Sequence, residues 1–154
     1  PARRLGSGDP AGAAARLREI AGAALAAEQV GAAERCLEMT VDYAKSRVQF
    51  GRVIGSFQAL KHRMADMYVL LESARSASVA ATAAVAAHSS SAAEDVWVAR
   101  VHCSEALTAI AAETVQLHGG IAITWEHDAH LFFKRAHGDA QLFGAAHRPA
   151  PQPA

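Results

Sequence analysis

The sequence predicts an all-α fold, an up-down bundle of four helices, and three observations carry that prediction. First, 38 of the 154 residues are alanine, the strongest intrinsic helix former, while the β-branched and aromatic runs expected of strands are nearly absent. Second, apolar residues recur at three- and four-residue steps over stretches far longer than a strand. Third, the Gly- and Ser-rich clusters between those stretches are short, which favours antiparallel neighbours. Apolar residues reach 51% but aromatic ones only 6%, so the core must be built from small side chains.

Taken in order, residues 1–12 are a polar, flexible start and residues 148–154 a flexible Pro-rich tail, leaving 13–147 as one domain. From residue 13 to Phe50 an uninterrupted helical pattern places Leu17, Ile20, Ala24, Ala27, Val30, Leu37, Val41 and Ala44 on one stripe. Gly51 and Gly55 end it. Ser56 is suited to cap a second helix, reaching about Ala87, whose stripe is Phe57, Leu60, Met64, Met67, Leu71 and Ala74. That Met and aromatic stripe is read as core, not as a ligand groove. After the turn His88-Ser-Ser-Ser91, the series Ser91-Ala-Ala-Glu94 has the form of a capping box. It opens a third helix through Val98, Val101, Ala106, Ile110 and Val115, which Gly119-Gly120 closes. Thr124 is the expected cap of a shorter fourth helix with Glu126 and Asp128 in its first turn, ending near Phe143.

Fifteen Lys and Arg balance fifteen Asp and Glu, so no global field favours nucleic acid or an anionic membrane as partner. Cys36 and Cys103 match neither a disulfide framework nor a zinc spacing, which suits buried thiols in a reduced, cytoplasmic setting. No apolar run is read as a membrane span, and the opening residues lack the features of a signal peptide; a soluble, non-exported chain is expected.

Three segments could carry chemistry. Arg47-Val-Gln-Phe-Gly51, followed by Phe57-Gln58, sets a planar fork of donors beside an amide, aromatic rings and a turn glycine, a combination that suits a phosphate and a flat ring. A charged helix terminus with Phe50 tucked into the core would look the same. In Gln116-Leu-His-Gly-Gly120 two glycines allow close backbone approach to a ligand, or simply cap a helix. Trp125-Glu-His-Asp-Ala-His130 crowds two imidazoles and two carboxylates, yet no matching ligand set stands elsewhere, so no metal is assigned. Glu34 and Glu38 read as a solvated face.

Together, Arg47-Val-Gln-Phe-Gly51, Phe57-Gln58, Ala65-Asp66-Met67, Gln116-Leu-His-Gly-Gly120 and a Trp-Glu-His-Asp helix ending in Leu142-Phe-Gly144 resemble the C-terminal helical domain of acyl-CoA dehydrogenases. The resemblance covers residues 13–147. It implies FAD at a subunit interface, with Arg47 and Gln49 on the pyrophosphate, Phe50, Phe57 and Gln58 along the adenine side, and Gln116, Gly119 and Gly120 on the ADP portion. It also implies an oxidoreductase of lipid metabolism acting on an acyl-CoA, in a homo- or hetero-oligomer with an acyl-CoA dehydrogenase subunit.

The chain departs from the family pattern at the catalytic base. Where the family carries Glu-Gly near the end of the last helix, this chain has Phe143-Gly144, and the flavin-contacting Thr and Gln that follow are matched by Ala145 and His147. The alternative base position on the first helix falls at Ala21. Glu19 is rotated from it by about 200°, and Glu28 lies on its face but about 10 Å along the axis. The family's N-terminal and middle domains have no counterpart in these residues, so a detached or truncated C-terminal part, of the base-less kind that completes a partner's flavin site, is expected. The competing expectation is a non-catalytic helical interaction domain that has lost flavin binding.

Overall fold

The computed structural model describes residues 8–144. Residues 1–7, the tail 148–154, Ala145 and His147 lie outside the described residues. Four helices form: α1 (Pro10–Ser46), α2 (Gln58–Ala86), α3 (Ala92–His118) and α4 (Ala129–Asp139). A two-stranded antiparallel ribbon, β1 (Val48–Gln49) and β2 (Arg52–Val53), joins α1 to α2, and short 3-10 turns occupy Ile54–Ser56 and Gly119–Ile123.

The all-α up-down bundle is thus as expected, and side-chain pairs fix its directions. Arg16 near the start of α1 donates to the Val85 carbonyl at the end of α2 (2.7 Å), and Arg75 meets Glu34 at 2.8 Å. Gln29 bonds Ser104 and Thr40 bonds Thr114, so α1 and α3 pack directly on each other and run parallel, with the reversed α2 against both. Helix α4 returns antiparallel, with Arg135 on Glu28 and Arg100 of α3 on the Leu142 carbonyl.

The helix termini differ from the sequence reading in instructive ways. Helix α1 begins at Pro10 because Asp9 accepts from the Ala11 and Gly12 amides (3.0 Å each) and proline suits the first helical position. It stops at Ser46, not Phe50. The Ser46 hydroxyl donates back to the Asp42 and Tyr43 carbonyls, and Phe50 and Gly51 both take positive φ (53° and 75°), the signature of a two-residue type I′ hairpin turn. Ser56 does not cap α2: its hydroxyl donates to the Val53 carbonyl at 2.7 Å, and Phe57 stands at the N-cap. Ser91 likewise makes no capping bond, donating instead to the Asp95 carboxylate at 2.8 Å. Thr124 accepts from the Glu126 amide within the turn; α4 starts only at Ala129, whose amide donates to His127 Nδ1, and ends at Asp139, short of Phe143.

The core is mostly alanine. Ala26, Ala33, Ala81, Ala99, Ala106, Ala111 and Ala136 are essentially inaccessible, which lets the helices approach closely around the few large side chains Met67, Leu107 and Ile110. A Cβ at Gly22 would sit 2.5 Å from a Val96 methyl, a measure of how near α1 lies to α3. The second-helix stripe of Met67, Leu71 and Ala74 is buried as expected. The first-helix stripe is buried in its later part, at Val30 and Ala44, but is rotated at its start: Leu17 is 67% and Ile20 48% exposed, while Ala23, Ala26, Gln29, Ala33, Cys36 and Thr40 face inward. An alanine-rich helix has a weak apolar bias, so the tertiary pairs of Gln29 and Thr40 decide which face is buried. The two thiols are buried as expected, and burial pushes both up to about 11, so neither is a nucleophile at neutral pH.

Two helical runs, Gln58–Ala86 and Ala92–Ile123, are long and apolar enough to cross a membrane by length and composition, which corrects the expectation that no run is. Both are alanine-rich and wall the bundle core.

Asp139 braces Arg135, the α4 side chain that reaches Glu28 of α1. It is buried, its Oδ1 meets Arg135 Nε at 2.8 Å, and its Oδ2 has no partner. Burial raises its pKa, Arg135 opposes that rise and Glu28 adds to it. A carboxyl with a raised folded pKa contributes most when protonated, and that contribution is lost as pH climbs from the unfolded value through the folded one. The stability of wild type relative to Asp139→Asn should therefore fall as pH is raised through the carboxylate range, read by urea denaturation at a series of pH values. A rising difference would contradict it.

Candidate functional site

The sequence-predicted binding residues gather at one end of the bundle, where α1 and α3 finish and α2 begins. Arg47 is the C-cap of α1 and Gln49 lies on β1, both exposed; the Gln49 amide donates to the Val48 carbonyl at 2.9 Å. Phe50 is the first turn residue of the hairpin and is not tucked into the core, being 89% exposed. Phe57 is half-buried at the N-cap of α2, and Gln58 is exposed beside it. Gln116 is exposed in the last turn of α3. Gly119 takes φ +68°, a backbone that other residues rarely adopt, and with Gly120 opens the 3-10 turn on the same end.

Two contacts couple these segments, and each brings in a residue that the sequence reading did not single out, Tyr43 in the first and Arg52 in the second. His118 is buried between Tyr43 of α1 (ring centroids 4.5 Å apart, stacked) and His127 of the following loop (4.3 Å). Burial pushes the His118 imidazole below its ordinary pKa and His127 adds to the fall, while the Thr114 and Met39 carbonyls oppose it. Its Nδ1 therefore holds the proton and donates to the Thr114 carbonyl at 2.7 Å. The second contact is Arg52, whose guanidinium sits 4.0 Å from the Phe57 ring centroid, with Phe50 edge-on to the same ring at 6.2 Å. The only signal for Arg52 in the sequence is a cation one residue after Gly51.

A groove of about 390 Å³ opens beside this end between Met39, Asp42 and Tyr43 of α1 and Glu126, His127 and Asp128, and none of the predicted site residues lines it. His127 and His130 do not share a ligand position: His127 packs on His118, whereas His130 is edge-on to Trp125 at 4.8 Å. Among the described residues no three His, Cys, Asp or Glu side chains gather as a metal site. Glu34 and Glu38 are held by Arg75 and Arg35 on the helix surface.

The two base positions lie in the other half of the bundle, each next to a residue that lies near Arg100. Phe143 follows α4 with φ 58°, in a turn whose Leu142 and Gly144 carbonyls both accept from Arg100 (2.8 and 2.7 Å). Ala21 is half-buried on α1, next to Gly22, where an added Cβ would touch the Arg100 side chain. Neither neighbouring glutamate is free: Glu19 pairs with Arg16 and Glu28 with Arg135. Along the α1 axis, Ala21 and Arg47 are separated by roughly 39 Å at the helical rise per residue.

Comparison with known proteins agrees with this architecture. Residues 19–147 match the family model for the acyl-CoA dehydrogenase C-terminal domain. Over 126 residues the chain is 64% identical to the acyl-CoA dehydrogenase IpdE2 of Mycobacterium tuberculosis, covering 82% of this chain but only 38% of that protein. Butyryl-CoA dehydrogenase from Megasphaera elsdenii superposes with a TM-score of 0.86 at 26% identity, over 92% of this chain and 37% of that one. The ChsE4–ChsE5 complex of Mycobacterium tuberculosis gives 0.79 at 35% identity, over 84% and 35%. The chain spans less than two fifths of the length of each of these proteins. With the motifs, the bundle and the matched relatives in agreement, the chain belongs to the acyl-CoA dehydrogenase family, and residues 19–147 are its C-terminal domain.

Proposed function

We propose that the chain is a component of an FAD-dependent acyl-CoA dehydrogenase, supplying the contacts to the ADP and pyrophosphate of a flavin across a subunit interface without contributing a base. The observation that carries this reading is the unpartnered Arg47. Its side chain makes no hydrogen bond or ion pair among the described residues and stands exposed at the bundle end that also holds Gln49, Gln116 and the open Gly119–Gly120 turn. The fit to a diphosphate is chemical: a planar fork of donors binds phosphate oxygens in pairs, and a glycine turn without Cβ atoms lets backbone amides approach them. When bound, FAD supplies the two-electron acceptor for a hydride leaving the acyl β-carbon.

Removing the α-proton needs a base, and Phe143 and Ala21 offer no atom that accepts one. A base-bearing acyl-CoA dehydrogenase subunit would provide it. The roughly 39 Å between Arg47 and Ala21 supports the interface reading, since one flavin dinucleotide does not reach both, so the contacts here and the base position serve different flavins. Partly exposed Leu17, Ile20 and Trp97 are consistent with a surface that a partner subunit covers.

The test is flavin absorbance on this chain alone and co-expressed with a base-bearing family subunit, during titration with a panel of acyl-CoAs. Flavin that co-purifies and bleaches only with the complex, together with formation of the enoyl-CoA, is the expected result. A complex that forms and carries no flavin would leave the non-catalytic interaction domain as the function.

A further inference from the structure

We propose that Arg52 is a second phosphate-binding cation, gripping the dinucleotide's diphosphate jointly with Arg47; this rests on the cofactor reading above and adds to it a residue and a binding geometry. In a chain of zero net charge, residues 43–65 carry Lys45, Arg47, Arg52, Lys61 and Arg63 and not one Asp or Glu. Lys45 is neutralised by Asp42 and Arg63 by Glu113. Arg47, Arg52 and Lys61 have no ion-pair partner among the described residues, which leaves three unneutralised cations within residues 43–65.

The ribbon places the two arginines for one task. Gln49 pairs with Arg52 across it, Val48 pairs with Val53, and the Ile54 amide donates to the Arg47 carbonyl at 2.8 Å. Opposed residues share a face and side chains alternate along a strand, so Arg47, Gln49 and Arg52 project from the same face of the ribbon. Arg47 and Arg52 are diagonal neighbours there, at a backbone separation of about 7–8 Å, within which long side chains converge. A single phosphate occupies one guanidinium fork; two linked phosphates can occupy both.

Phe57 fixes the second arm. With the guanidinium seated 4.0 Å over the ring centroid, its N–H groups make no bond within the described chain, so donors are held in place and left free. This also changes the role of Phe57: the covered ring face is not open to adenine, and Phe57 acts on the cofactor through Arg52.

The experiment measures FAD affinity by flavin fluorescence and its salt dependence in the co-expressed complex, for wild type, Arg52→Gln, Arg52→Lys and Arg47→Ala. Arg52→Gln should weaken FAD roughly tenfold or more and flatten the salt dependence, with Arg52→Lys between it and wild type. The proposal is overturned if Arg52→Gln binds FAD as wild type does while Arg47→Ala does not, an outcome that leaves the cofactor reading standing. Wild-type complex that binds no FAD removes both. Should Arg52→Gln lower thermal stability, Arg52→Lys decides: retained affinity upholds the proposal, and a loss equal to that of Arg52→Gln overturns it.

Discussion

Replacing Arg47 by alanine is expected to empty the proposed acyl-CoA dehydrogenase complex of flavin. A charge-assisted hydrogen bond contributes about 1.5–3 kcal/mol, and a bidentate guanidinium on a diphosphate makes more than one, so affinity should drop at least roughly 10- to 100-fold. Because the Arg47 side chain is exposed and bonded to nothing in the described chain, the folded state has little to lose, and thermal unfolding of the variant should match wild type. The readout is the flavin-to-protein absorbance ratio after gel filtration of the complex. Arg47→Lys should recover only part of it, since an ammonium is a point charge and not a fork. Full flavin content in Arg47→Ala would remove Arg47 from the site.

Truncating Leu107 to alanine should cost about 2–5 kcal/mol of stability, against the 5–15 kcal/mol typical of a whole domain. Leu107 is 1% exposed on α3, which packs against all three other helices, as α1 does, and with Met67 and Ile110 it is among the largest fully buried side chains. The core cluster that holds it is rich in alanine, which has no rotamer freedom with which to fill a void. The cavity should therefore persist, placing the loss near the upper part of the range, and the shift in urea midpoint at constant m measures it. A loss below about 1 kcal/mol would mean that the helices close around the gap. The variant should still bind flavin when folded, in contrast to Arg47→Ala.

The two variants separate what the sequence declares in different ways. The residues proposed to contact flavin are legible as local motifs, and the structure gathers Arg47, Gln49, Phe57, Gln116 and Gly119 at one bundle end. Arg52 was not legible: a single cation after a glycine has no pattern, and its position depends on the hairpin register and on Phe57. The hairpin itself was hidden. Phe-Gly in a type I′ turn puts a bulky residue at positive φ, against local preference, so propensity extends the first helix through it.

Three of the expected caps failed for a related reason. Ser56, Ser91 and Thr124 each have the right chemistry, but a hydroxyl donates as readily to a nearby carbonyl or carboxylate as it accepts from an amide. Asp9 cannot donate when ionised, and it does cap α1.

By itself the sequence determined the helical class, the order and approximate extent of four helices, the buried stripe of α2 and the family. Alanine content, long-range periodicity and motif spacing are properties of the chain that no tertiary contact has to supply. The tertiary structure alone decided which face the first part of α1 buries, where Glu19 and Glu28 are held, and that residues beside both base positions lie against Arg100. Those outcomes turn on pairs such as Gln29 with Ser104, Thr40 with Thr114 and Arg135 with Glu28, formed between residues 74 to 107 positions apart. In a helix of nearly uniform small residues the local apolar bias is too weak to choose a face, and a few buried hydrogen bonds, expensive to leave unmade, choose it instead.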